Sequence, residues 1–184
     1  RRDRLDELAE RLGRTHDRRV DVLAADLAST AGVRAVEARI AAEPALELVV
    51  NNAGFGTSGP FAELDRDAEE EEVRLNVLAL QRLTHAAVSV FKARGHGSVI
   101  NVSSLAGFQP SPFNATYAAT KAFVLSFGNA IGKELAGKGV ATFYGLLLAA
   151  AWPLGLMAGA VWLISAFLFR RSSLAALSSA ATAP

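Results

Sequence analysis

Short apolar runs that end in polar clusters, separated by amphipathic helical stretches, constrain this chain more than any other feature. Leu46 to Val50 is a compact apolar run that stops at Asn51-Asn52-Ala53-Gly54, and Ser98 to Val102 is a second that runs into Ser103-Ser104. An earlier segment, Val20, Val22 and Ala24, alternates with less apolar positions and ends near Asp26. Each reads as a strand, and the Leu46 run reads as one buried on both faces. Between them lie helical patterns, so strand and helix alternate as in an α/β fold built on a parallel sheet.

The helical segments have recognisable ends. Leu5, Leu8 and Leu12 recur at helical spacing, with Gly13 as a stop. Ser29 or Thr30 caps the next helix, whose apolar face is Val33, Val36 and Ile40. A long helix is predicted from about Asp67 to Ala93, with Val73, Val77, Leu80 and Leu83 inward, and another from Thr116 to about Leu135. The acidic run Glu69 to Glu72 falls in the first turns of the long helix. It reads as a solvated start that complements the helix dipole.

Composition removes several function classes. Without cysteine, disulfide frameworks, thiolate catalysis and cysteine-bound metals are excluded. His16, His85 and His96 are too scattered to suggest a metal site. A net charge of +1 without a basic stripe gives no reason to expect a nucleic-acid partner.

The polar clusters at strand ends are where an open parallel sheet places a ligand. Taken singly, Asp26 or the Asn51–Gly54 turn is equally well explained by turn chemistry. Tyr117 and Lys121, four apart on one predicted helix, share a face. An ammonium beside a phenol favours the phenolate, which makes a tyrosine a usable general acid or base. Alone, such a pair is a weak motif.

The combination is specific. Asn51-Asn52-Ala53-Gly54, Asn76, Asn101-Val102-Ser103-Ser104 and Tyr117-Ala118-Ala119-Thr120-Lys121 resemble the short-chain dehydrogenase/reductase family in content, order and spacing, from the first residue to about Val140. The resemblance implies a Rossmann-like doubly wound parallel sheet. It also implies an NAD(P)-dependent oxidoreductase that moves a hydride between nicotinamide and a small carbonyl or alcohol. In that reading Tyr117 exchanges a proton with the substrate oxygen, and Lys121 supports the phenolate and hydrogen-bonds the nicotinamide ribose. Ser104 (rather than Ser103, by its spacing from the tyrosine) polarises the substrate oxygen, and Asn76 anchors a water of the proton relay. Asp26 and Leu27 stand beside the adenine, while Asn52, Ala53 and Gly54 line the cofactor's path. Arg1 and Arg2 favour NADP over NAD, because a guanidinium binds phosphate bidentately, although a solvated chain end explains them as well. A homo-oligomer built on the helices of Asn76 and Tyr117 is also implied.

Two departures qualify the resemblance. The family's opening strand, Gly-rich turn and helix, which cradle a pyrophosphate, have no counterpart here. The first βαβ segment is therefore expected to be lacking and cofactor binding to be weak. The rival expectation is a non-catalytic, membrane-anchored remnant. After Val140 the sequence diverges and carries no charge from Gly139 to Phe169. Residues 143–169 would span about 40 Å as a helix, enough to cross a hydrocarbon core of about 30 Å, although Pro153 would kink it. The expected organisation is a partial oxidoreductase domain over 1–140, an apolar transmembrane segment over 141–171 and a disordered tail over 172–184. The oxidoreductase part would then be membrane-associated on the cytoplasmic side. A re-entrant hairpin, a buried element of a soluble fold, and a tail joined by a frameshift are the alternatives. If the tail is not native to the domain, a cytoplasmic location follows.

Overall fold

The computed structural model describes residues 1–144. Helix α1 (Arg2–His16) and helix α2 (Thr30–Ala42) precede strand β1 (Leu48–Asn51). Helix α3 (Arg66–Val73) passes through a wider π-helical turn at Arg74–Ala79 into helix α4 (Leu80–Arg94). Strand β2 (Gly97–Asn101), helix α5 (Ala115–Leu135) and strand β3 (Val140–Tyr144) complete the described elements. The three strands are parallel in the order β1-β2-β3, and their register sets Asn51 opposite Asn101. Helical connections are what parallel neighbours require, and the α/β class read from the sequence is the class observed.

The core lies where α2 and α4 meet each other and the sheet. Val33 and Ile40 of α2, Leu83, Ala87 and Phe91 of α4, Val99 of β2, Leu135 of α5 and Val140 of β3 form one buried cluster. Full burial of a side chain such as Phe91 or Val99 is worth about 1.5–3 kcal/mol. The Phe91 ring is accommodated by Gly97, whose φ of 145° favours glycine and where a Cβ would stand 2.2 Å from Phe91 Cγ. Ser29 is the α2 cap, its Oγ accepting from the Gly32 N–H at 3.0 Å.

Several expectations are corrected. Helix α1 runs past Gly13 to His16 and ends on Asp17 in the left-handed region, φ 51°. Val20 to Ala24 is not a strand, because among the described residues no neighbouring strand pairs with it. Strand β1 is not covered on both faces: Leu48 is 46% and Val50 52% exposed. A groove of about 310 Å³ lined by Leu27, Val36, Ile40 and Leu80 runs along it. The long helix is interrupted by its wide turn, and the buried stripe runs through Glu72, Asn76, Ala79, Leu83, Ala87 and Phe91. Val73 is therefore exposed and Glu72, read as solvated, is fully buried.

Residues 141–144, at the head of the apolar stretch, belong to β3. The remainder of the expected transmembrane segment and the 172–184 tail lie outside the described residues. Among the described residues, no helix is long and apolar enough to cross a membrane.

Candidate active site

The strand register does the first work. With Asn51 and Asn101 side by side, Asn51 Nδ2 donates to Asn101 Oδ1 at 2.8 Å and to Thr84 Oγ1 at 3.0 Å. The Thr84 hydroxyl in turn donates to Asn101 Oδ1 at 3.1 Å. All three residues are buried. This closed triangle joins the ends of β1 and β2 to α4 and so fixes where the loops after both strands begin.

Those loops and the first turns of α5 enclose a cleft of about 520 Å³. Asn52, Gly54, Ser104, Tyr117 and Lys121, all singled out in the sequence, line it. The adjoining groove along β1 shares Asn52 with the cleft and is lined also by Ala53 and Leu27. Asp26 lines neither cavity. Its Oδ1 accepts from the Ala28 N–H at 3.0 Å and its carbonyl from Ser29 Oγ at 2.8 Å, so it closes an exposed turn that leads into α2. Arg2 pairs with Asp6 one turn along α1, at 3.1 Å.

Tyr117 and Lys121 do share one helix face. The Lys121 Nζ stands 5.6 Å from the centre of the Tyr117 ring. It is 5% exposed and donates to the Val102 carbonyl at 3.0 Å. Burial pushes the Lys121 amine below its ordinary value, because desolvation penalises the ammonium, and the negative charge of Glu72 partly opposes this. The two serines differ in their hydrogen bonds. Ser103 is buried and its hydroxyl is committed to the Lys121 carbonyl at 2.8 Å. Ser104 Oγ accepts from the Ala106 N–H at 3.3 Å, which leaves its own proton free to donate into the cleft.

Asn76 sits in the wide turn, 1% exposed, behind the cleft. Its Oδ1 accepts from the Phe55 N–H at 3.2 Å. Its Nδ2 donates to the Phe55 carbonyl at 2.7 Å and to Thr120 Oγ1 at 3.1 Å. The side-chain amide clamps the loop after Gly54 and thereby fills both of its donor positions.

The close packing of that loop explains its glycines. At Gly54 a Cβ would stand 2.8 Å from Asn76 Oδ1, and at Gly56 a Cβ would stand 2.7 Å from Tyr117 Cδ2. Sequence reasoning missed Phe55, Gly56, Val102 and Asn114 as lining residues. Phe55 and Gly56 follow directly on the Asn-Asn-Ala-Gly turn, so adjacency could have found them. It also missed Thr57, held by Glu72 through its N–H at 2.7 Å and its hydroxyl at 2.8 Å. Glu69 faces the same Thr57 hydroxyl, whose single proton lies between it and Glu72, and accepts from Thr116 Oγ1.

Residues 1–144 match the family model for short chain dehydrogenase. The chain belongs to that family. A short-chain dehydrogenase from Sphingobium yanoikuyae solved with NADPH is 36% identical with a TM-score of 0.75, covering 78% of this chain and 56% of that one. The very-long-chain 3-oxoacyl-CoA reductase of Laccaria bicolor is 39% identical over 90 residues, 48% of this chain and 27% of that protein. A different name also occurs among the matches. The glycerol-3-phosphate acyltransferase of Caulobacter vibrioides is 44% identical over 108 residues, 59% of this chain and 50% of that protein. The chain thus spans about half of the length of that first relative and little more than half of its solved relative.

Proposed function

We propose that this chain carries the proton-transfer half of an NADP-dependent carbonyl reductase or alcohol dehydrogenase, with NAD as the lesser cofactor. The observation that carries the reading is the convergence of Ser104, Tyr117 and Lys121 on one cleft, where the serine proton is uncommitted and the amine is buried. Among solved relatives, four carry NADPH or NADP, which supports that cofactor. The groove lined by Leu27, Ala53 and Asn52 would hold it, and Lys121, with two of its three protons uncommitted to Val102, would donate to its ribose. The cofactor supplies the hydride. This chain's residues orient the substrate oxygen through the Ser104 hydroxyl, move a proton at Tyr117 Oη and hold positive charge beside it at Lys121. Asn76 holds the loop through both donors of its side-chain amide, and a relay water would be held there by donating to an acceptor oxygen.

The proposed substrate is a ketone flanked by bulky apolar groups. Phe55 lines the cleft; Leu105 and Phe113, next to the lining residues Ser104 and Asn114, are 55% and 63% exposed, and Phe108, at the end of the short helical turn after Ser104, is 64% exposed. Relatives named for bulky ketones and for 3-oxoacyl-CoA support that class.

The charge-free stretch that continues to Phe169 is proposed to associate with a membrane.

The test is NADPH-dependent reduction of a bulky aryl ketone by the wild-type chain and by Tyr117→Phe at saturating cofactor. Turnover that falls at least about 10²-fold in the variant is expected, the usual worth of a positioned acid. Equal rates, or no turnover by the wild type, would overturn the enzyme reading, the latter in favour of a non-catalytic relative.

A further inference from the structure

Two charged side chains are buried among the described residues, and they have opposite sign. Glu72 is 0% exposed and Lys121 is 5% exposed. Burial of a lone charge costs several kcal/mol, so buried charges are expected to be paired. Lys121 donates only to a neutral carbonyl. Glu72 accepts both of its hydrogen bonds on Oε2, from Thr57, while its Oε1 is buried with no partner. Each therefore lacks a counter-ion in contact, and the Gly54–Thr57 loop touches both, held at Thr57 by Glu72 and packed at Gly54 beside Lys121. Thr57 ends the loop whose Gly54 would place a Cβ 3.5 Å from Lys121 Nζ, and whose Gly56 packs on the Tyr117 ring. Glu69, on the same helix as Glu72, faces the same Thr57 hydroxyl, and Lys121 on α5 is the group of opposite charge that Glu72 acts on.

We propose that Glu72 is a positioning residue of the cleft: its buried carboxylate is the counter-charge to Lys121 across the Gly54–Thr57 loop and, through Thr57, sets that loop against Tyr117. Its importance to turnover rests on the oxidoreductase reading; its effect on Lys121 does not. Lys121 is the residue whose charge favours the Tyr117 phenolate, so weakening that charge narrows the pH range in which the pair can act.

The experiment follows the Lys121 side chain by NMR with ¹³C at the lysine ε-carbon. The chain has Lys92, Lys121, Lys133 and Lys138, and loss of one signal in Lys121→Arg assigns the resonance. In Glu72→Gln, which keeps an oxygen to accept from Thr57, the Lys121 titration is expected to move to lower pH. Glu72→Met, which removes charge and acceptor together, is expected to move it likewise and to broaden the Thr57 and Tyr117 signals. Glu69→Gln is expected to leave the Lys121 titration in place, a contrast that a general loss of packing would not produce. A Lys121 titration in folded Glu72→Gln unchanged from wild type would overturn the proposal, without bearing on whether the chain reduces ketones. Lack of turnover together with the expected shift would instead count against the enzyme reading alone.

Discussion

A methyl group added at Gly56 tests the packing of the cleft most sharply. The new Cβ would stand 2.7 Å from Tyr117 Cδ2, 2.9 Å from its Cγ and 3.3 Å from its Cβ. Carbon atoms rest at about 3.5–4.0 Å, so ring and loop must separate by roughly 1 Å. The contact reaches back to the tyrosine Cβ, so turning the ring alone does not relieve it. The loop cannot yield freely either, because Asn76 holds Phe55 and Glu72 holds Thr57 on either side of Gly56. Overpacking of this kind costs about 1–3 kcal/mol. A displacement of about 1 Å at a reacting group costs on the order of 10²-fold in rate. Gly56→Ala is therefore expected to lower the urea midpoint with an unchanged slope, and to lower kcat for NADPH-dependent ketone reduction by about 10²-fold. A variant with wild-type midpoint and wild-type kcat would show that the tyrosine ring does not rest on this glycine, and the described geometry would be wrong.

Three further outcomes are expected. Gly128→Ala, in the middle of α5 where an added Cβ meets nothing within 4 Å, should raise stability by about 0.5–1 kcal/mol in the same urea assay. Thr84→Val should cost about 1–3 kcal/mol, because it deprives the buried Asn51 and Asn101 amides of a shared hydroxyl; an unchanged midpoint would show that the triangle is not formed. Lys121 has a folded pKa pushed below the ordinary 10.5 by burial, so the unfolded chain binds more protons between those two values. Stability should accordingly rise with pH across that window, and Lys121→Met should remove the rise.

The elements legible in the sequence were those whose signal is local. α5 and β2 fall within a residue of their expected ends, and Ser29 caps α2, because apolar periodicity and a capping hydroxyl act over a single turn or strand. Ser104 was preferred to Ser103 through the family resemblance, and the hydrogen bonds distinguish the two: the Ser103 hydroxyl is committed to a carbonyl, while the Ser104 hydroxyl accepts from a backbone N–H beside the cleft. What could not be read depends on neighbours. Val20 to Ala24 has a strand's pattern, yet it gains no partner among the described residues. Glu72 sits in a run of four glutamates that looks solvated, and only the wide turn at Arg74–Ala79 and the approach of Thr57 bring it inside. Asn76 was found as a site residue by resemblance, but its clamp on Phe55 follows from a loop path that no sequence spacing encodes.

Transfer of the hydride itself is the most direct test of the central claim. NADPH carrying deuterium at the reactive carbon of its nicotinamide would be incubated with the chain and a bulky ketone, and the alcohol analysed by mass spectrometry. Deuterium on the carbinol carbon is expected with wild-type protein, and at least about 10²-fold less product with Tyr117→Phe. Alcohol without the label, or label transferred equally well by both proteins, would contradict it.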